Sequence, residues 1–175
     1  MGMISESDCF FATKDFCQIS NELERFIKRE SFLDFTALAD DDNGIFFSDP
    51  FIKFVYDTFP QRLMRSPRIW KWPAKTKYFW HKDANNGCSI NCVLKDYKSL
   101  TIFTDIESYT NNLEIKSIVT LSYEPNRWYV FNSQMPHAII NYGDEDRYTV
   151  VLSFNRELGI SFQEVVDWYK NHSKI

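Results

Sequence analysis

The chain is short of glycine, proline and histidine: five, six and three among 175 residues. So little glycine leaves no room for a glycine-rich phosphate loop, and no G-x-S-x-G nucleophile elbow occurs. Scarce glycine and proline also exclude collagen-like or long disordered segments. No run of about 18 apolar residues exists, so no membrane-spanning helix is expected. The first residues, MGMISESDCFF, lack a basic stretch leading into an apolar one, so no secretory leader is expected. Without one, Cys9, Cys17, Cys88 and Cys92 read as free thiols in the cytoplasm rather than as a disulfide framework. Positive charge is also in deficit. The net charge is -4 and the pI about 5.4, which makes nucleic acid an unfavourable partner.

What the chain does have is apolar bulk. Hydrophobic residues make up 44% and aromatics 17%, with 16 phenylalanines. That is enough to build one sizeable core, and the length suits one domain over 1–175. One basic cluster, Arg62 to Lys77, is interleaved with aromatics. It reads as a solvated strand pair with its apolar residues turned inward, or as contacts at a substrate entrance. Trp70, Trp72, Trp80 and Trp128 fall in β-rich segments, where aromatics are usually core.

The first third, 1–66, reads as mostly helical. SNELERFIKRE places Leu23, Phe26 and Ile27 at helical spacing, with Asn21 and Glu24 as a capping pair. ADDDNG, 39–44, reads as a loop. In SDPFIKFVYDTF, Ser48 or Asp49 caps a second helix with Pro50 in its first turn, and Phe51, Phe54, Val55 and Phe59 form its apolar face. From residue 67 to 156 the pattern becomes eight short β runs: RIWKW, KYFWHKD, SINCVLK, SLTIFTD, SIVTLSYE, RWYVFN, HAIIN and RYTVVLSF. Ser161 and Glu164 form a capping box ahead of a final helix over 157–175. Helices followed by many short strands predict a mainly β fold with flanking helices, a sandwich or jelly roll.

Three residues could hold a metal ion. His81 stands two before Asp83, and in a strand such residues share a face about 6.6 Å apart. His137 opens a later strand, which a jelly roll can bring alongside. Two imidazoles and one carboxylate on a single face form the facial triad that suits non-haem Fe(II) and leaves coordination positions open. His172, in the last helical turn, reads as a solvated residue. In PHAIINYGDEDRYT, a hairpin turn centred near Tyr142 would set His137 opposite Arg147, with Cβ atoms roughly 5 Å apart. Arg147 would then offer its two-pronged guanidinium to a carboxylate in the pocket, with Thr149 on the same face. The competing reading of Arg147 is a surface pair with Asp144 or Glu145. A zinc site at Cys88 and Cys92 is disfavoured, because C-x3-C on a strand separates the thiols by about 13 Å. Two small buried residues on one face are expected instead.

H-x-D, a distant His and then Arg ten residues later resembles the Fe(II)- and 2-oxoglutarate-dependent oxygenase superfamily. RYT is similar to the R-x-S element of some members. PHAIINYGDEDRYTVVLSF looks like the distal half of the prolyl-hydroxylase-like and aspartyl/asparaginyl-hydroxylase-like branches. The resemblance covers roughly Arg68 to Asn155. It implies a double-stranded β-helix, the cupin-like barrel. It implies Fe(II) held by His81, Asp83 and His137, and 2-oxoglutarate held by Arg147 and Thr149. It further implies hydroxylation by dioxygen with succinate and carbon dioxide as co-products, on a peptide or protein side chain or else a small metabolite. A further co-substrate contact would come from Tyr78, Ser89 or Asn91. Strand alternation favours Asn91, since Phe79 rather than Tyr78 shares a face with His81 and Asp83, as an apolar wall. A bulge would reverse that choice. The long polar stretch Asp105 to Ile115 suits a lid. The alternatives are a metal-binding barrel of another kind and a small-molecule binding protein.

Overall fold

The computed structural model describes residues 3–29, 37–39, 44–63, 67–95, 98–105 and 117–172. The expected ADDDNG loop and the lid at Asp105 to Ile115 fall largely outside them. The described elements are α1 (Glu6–Cys9), β1 (Phe10–Phe16), α2 (Ser20–Arg29), β2 (Ala37–Ala39), α3 (Pro50–Thr58), β3 (Arg68–Trp72) and β4 (Thr76–His81). Then come β5 (Asn86–Val93), β6 (Ser99–Thr104), β7 (Ile118–Leu121), β8 (Arg127–Phe131), β9 (His137–Asn141), β10 (Arg147–Asn155) and α4 (Phe162–His172). The eight strands read from the sequence are β3 to β10.

Two antiparallel sheets face each other, one ordered β1-β8-β5-β10-β3-β2 and the other β4-β9-β6-β7. From β3 onward the chain passes back and forth between them, as a double-stranded β-helix does. Strand alternation decides what each face carries. Cys88, Ile90 and Cys92 of β5 and Val150, Leu152 and Phe154 of β10 are buried on the outer face of the larger sheet. There they pack with Leu23 and Ile27 of α2, Ile52 and Val55 of α3, and Val165, Val166 and Tyr169 of α4. The inner face carries Ser89, Asn91, Arg147 and Thr149. A second, smaller cluster, including Phe103, Leu121, Tyr129 and Phe131, fills one part of the space between the sheets. No helix among the described residues is long and apolar enough to cross a membrane.

Four departures from the sequence reading bear on how the chain is threaded. Phe10–Phe16, within the first third, is a strand that pairs with β8 and widens the larger sheet. Asn21 lies inside α2, which begins at Ser20. Ile52, fully buried, takes the core position of α3 expected for Phe54, which is 38% exposed. The fourth departure concerns PHAIINYGDEDRYT, which is not a hairpin. β9 pairs with β4 and β6, whereas β10 pairs with β5 and β3, so the turn carries the chain from one sheet to the other. Asn141 explains why. Its buried Nδ2 contacts the carbonyls of Trp72, Pro73 and Glu145 at 3.0, 3.0 and 2.9 Å. These contacts tie the β9–β10 turn to the β3–β4 connection beside it. Ala74 N also donates to Asp146 Oδ1 at 3.0 Å, and Lys71 pairs with Asp146 at 3.0 Å.

Asp49 caps α3 as expected. Its Oδ1 accepts from Phe51 N and Ile52 N at 2.9 and 3.1 Å, and Oδ2 accepts from Gln18 N at 2.8 Å. Fully buried, it therefore also joins α3 to the segment after β1. Asp49→Ala strands three donors and should lower unfolding free energy by about 2 kcal/mol in urea titration, with Asp49→Asn losing less.

Candidate metal centre

Each of the three residues is placed by a different device. β4 and β9 pair antiparallel, with His81 directly across from His137. Between Tyr78 and His81 the register slips, because three steps on β4 oppose two on β9. This β-bulge turns Tyr78 into the cavity and Phe79 out of it, where Phe79 is 72% exposed. Phe79 therefore forms no wall of the pocket. Asp83 follows just after β4, and its N donates to Ser133 O at 3.1 Å.

The ligand atoms of His81, Asp83 and His137 all lie within 4.8 Å of one another. Asp83 Oδ1 is 3.5 Å from His81 Nε2 and 3.9 Å from His137 Nε2. Both imidazoles are oriented by backbone carbonyls. His81 Nδ1 donates to Phe79 O at 2.8 Å, and His137 Nδ1 donates to Met135 O at 2.9 Å. A carbonyl only accepts, so each Nδ1 carries a proton and Nε2 is the nitrogen that faces Asp83. Phe131 packs edge-on against His137 with centroids 4.9 Å apart. Burial, joined by the His81 ring beside it, pushes His137 down to about 4. Burial raises the Asp83 carboxyl. The two imidazoles beside it and the hydrogen bond from Asn86 outweigh that and hold it low. At neutral pH His137 is thus a neutral imidazole and Asp83 a carboxylate, and with the His81 ring they make a donor set that fits a divalent transition metal.

These residues stand in a cavity of about 430 Å³ between the sheets. Arg147, Thr149, Asn91 and Ser89 line it from the larger sheet. Arg147 is 1% exposed, so the surface pair with Asp144 or Glu145 does not form. Those residues instead meet lysines: Lys75 with Asp144 at 2.8 Å, and Lys95 with Glu145. Arg147 Nε donates to Thr149 Oγ1 at 3.2 Å, and its guanidinium lies 4.6 Å over the ring of Tyr123. Arg147 and His137 thus share a cavity, although they face it from opposite sheets rather than across one hairpin. Asn91 is 9% exposed, and its Oδ1 has no hydrogen-bond partner among the described residues.

Tyr78, one of three contacts left open by the sequence, lines the cavity because of the bulge. Sequence reasoning missed other lining residues. Tyr123 sits in a segment with no motif. Trp70 and Trp72, expected as core, pair with Thr149 and Arg147 and face the cavity half-buried. Trp128 alone behaves as predicted and is fully buried. Cys88 and Cys92 are buried free thiols, held protonated by burial, and form no metal site.

No protein-family model matches the chain, and no curated protein matches it. Solved structures do. EvdO2 from Micromonospora carbonacea var. aurantiaca, complexed with 2-oxoglutarate, superposes with a TM-score of 0.60 at 12% identity, covering 88% of this chain and 91% of that one. HygX from Streptomyces hygroscopicus, with nickel and 2-oxoglutarate bound, gives 0.57 at 10%, covering 86% and 84%. A prolyl hydroxylase from Trichoplax adhaerens, in complex with a hypoxia-inducible-factor peptide fragment, gives 0.57 at 12%, covering 89% of each chain. At such identities the likeness is one of fold.

The depressed His137 has a consequence for stability without metal. Above about pH 6.5, the ordinary value, His137 is neutral folded or unfolded. Between that pH and about 4 only the unfolded chain takes up the proton, so stability falls with acid. The slope approaches about 1.4 kcal/mol per pH unit. The lowered Asp83 acts in the same direction at more acid pH. Thermal unfolding of metal-free protein from pH 7 to 4 should show the fall, and His137→Gln should flatten it.

Proposed function

We propose that this chain is a non-haem Fe(II)- and 2-oxoglutarate-dependent dioxygenase that hydroxylates its substrate and releases succinate and carbon dioxide. One observation carries the reading. Two imidazoles and a carboxylate converge in a cavity whose facing sheet presents a guanidinium only 1% exposed. A barrel that only bound a metal would have no use for that buried cation, whereas a carboxylate-bearing co-substrate would.

In this reading His81, Asp83 and His137 would hold the iron through two nitrogens and one oxygen and would leave positions for co-substrate and dioxygen. Arg147 receives the distal carboxylate of 2-oxoglutarate through its two-pronged fork. Thr149 accepts from Arg147 Nε, which fixes the guanidinium and leaves the threonine's own proton for the carboxylate. Tyr123 holds the guanidinium plane from one side. Asn91 lines the same cavity, where its Nδ2 would donate to the co-substrate, and Tyr78 stands against His81 with centroids 4.5 Å apart. Phe131, Ile139 and Val151 keep water from the cavity walls. When bound, iron and 2-oxoglutarate supply the activation of dioxygen and the oxidising power for hydroxylation.

The substrate enters past aromatic planes. Trp70, Trp72 and Tyr78 follow one another at 6.3 and 5.4 Å, leading to His81. A peptide or protein side chain suits such a wall, and the Trichoplax prolyl hydroxylase of like fold holds a peptide. The acidic balance disfavours nucleic acid. Four free, buried thiols suit the reducing cytoplasm.

Incubation with Fe(II), 2-oxoglutarate and ascorbate under air should produce succinate slowly even without the true substrate. Asp83→Ala and His137→Ala should abolish it. Arg147→Gln should raise the 2-oxoglutarate concentration needed by about a hundredfold, as expected when a charged hydrogen-bonded pair worth about 3 kcal/mol is lost. Wild-type protein that binds iron and yields no succinate would refute the proposal.

A further inference from the structure

Asp83 is held by more than its own strand. Its Oδ2 accepts a hydrogen bond from Asn86 Nδ2 at 3.0 Å, while its Oδ1 faces the two imidazoles. Gln134 reaches across from the β8–β9 turn. Its Nε2 donates to the carbonyls of Asp83 and Asn86 at 3.0 and 2.6 Å, so one amide clasps both ends of the segment from 83 to 86. The same turn supplies Ser133 O to Asp83 N and Met135 O to His137 Nδ1. Asn132 fixes the turn in its place. Its Oδ1 accepts from Gln134 N at 3.1 Å, its Nδ2 donates to Asp8 O at 2.8 Å, and its N donates to Cys9 O at 2.9 Å. Two ligands from separate strands therefore share one short support.

We propose that Gln134 and Asn86 are positioning residues of the metal centre: Gln134 locks Asp83 to the turn that orients His137, and Asn86 occupies Oδ2 so that Asp83 binds through Oδ1 alone. This rests on the metal-centre reading above. The consequence is a coordination count. With one oxygen engaged, the three residues would supply three donors and leave the remaining positions for a chelating keto acid and dioxygen. With Oδ2 released, the carboxylate is free to bind through both oxygens and close one of them. The amide orientations are set by chemistry, because two carbonyls and a carboxylate accept only from NH2 groups.

The test uses cobalt(II) in place of iron, with affinity read by calorimetry and coordination by the visible d–d spectrum. Wild type should bind one cobalt per chain. Failure there overturns the metal-centre reading itself. Gln134→Ala should weaken cobalt binding about 10- to 100-fold, the usual effect of removing a group that orients a ligand. Gln134→Glu, close in shape but unable to donate, should do the same and serves if the alanine variant folds poorly. Asn86→Ala should leave cobalt bound and alter the spectrum towards higher coordination. A purely structural turn would lower the melting temperature of metal-free protein and leave affinity and spectrum as in wild type. That result, from variants whose near-ultraviolet circular dichroism is native, would overturn the inference while leaving the metal centre intact.

Discussion

The cavity depends on how the larger sheet is covered. Three helices pack against its outer face, and Cys88, Ile90, Cys92, Val150, Leu152 and Phe154 bury themselves there. That contact provides the main core, so the inner face need not be apolar. Every second residue of β5 and β10 then becomes available for polar work, and Ser89, Asn91, Arg147 and Thr149 occupy those positions. A buried guanidinium would be a severe cost in a simple sandwich. Here it has the π face of Tyr123 and the hydroxyl of Thr149, and it borders the cavity.

The smaller sheet provides the complementary half. Its strands bring His81 and His137 together by direct pairing, and backbone carbonyls choose the tautomer of each. Burial keeps His137 neutral, which would be wasteful for a surface residue and is what a metal ligand requires. The support from the β8–β9 turn adds a second kind of order. Because Gln134 and Met135 belong to one turn, a shift in that turn moves Asp83 and His137 together.

Much of this was legible in the sequence. Turn signals separated eight strands correctly, because proline, asparagine and aspartate mark the ends that strand interiors avoid. H-x-D was readable because residues two apart share a strand face. The pairing of β9 with β10 was not. A polar turn between two apolar runs looks like a hairpin, and only Asn141, bonded to carbonyls nearly 70 residues earlier in the chain, shows that it crosses between sheets. The inference that His137 and Arg147 share a cavity survived, though its stated geometry did not. Tyr78 and Phe79 exchanged places for a similar reason. A bulge is a relation between two strands, and one strand's sequence does not display it. Trp70 and Trp72 look like core from composition, yet their cross-strand partners are Thr149 and Arg147, which places them on the cavity wall.

The central claim is that iron and a keto acid meet between the two sheets. An anaerobic titration of the Fe(II)-loaded protein with 2-oxoglutarate, followed by visible absorption, tests it most directly. A charge-transfer band that saturates at one 2-oxoglutarate per chain, and is absent with succinate in its place, is the predicted result. Iron-loaded protein that develops no band at any 2-oxoglutarate concentration would contradict it.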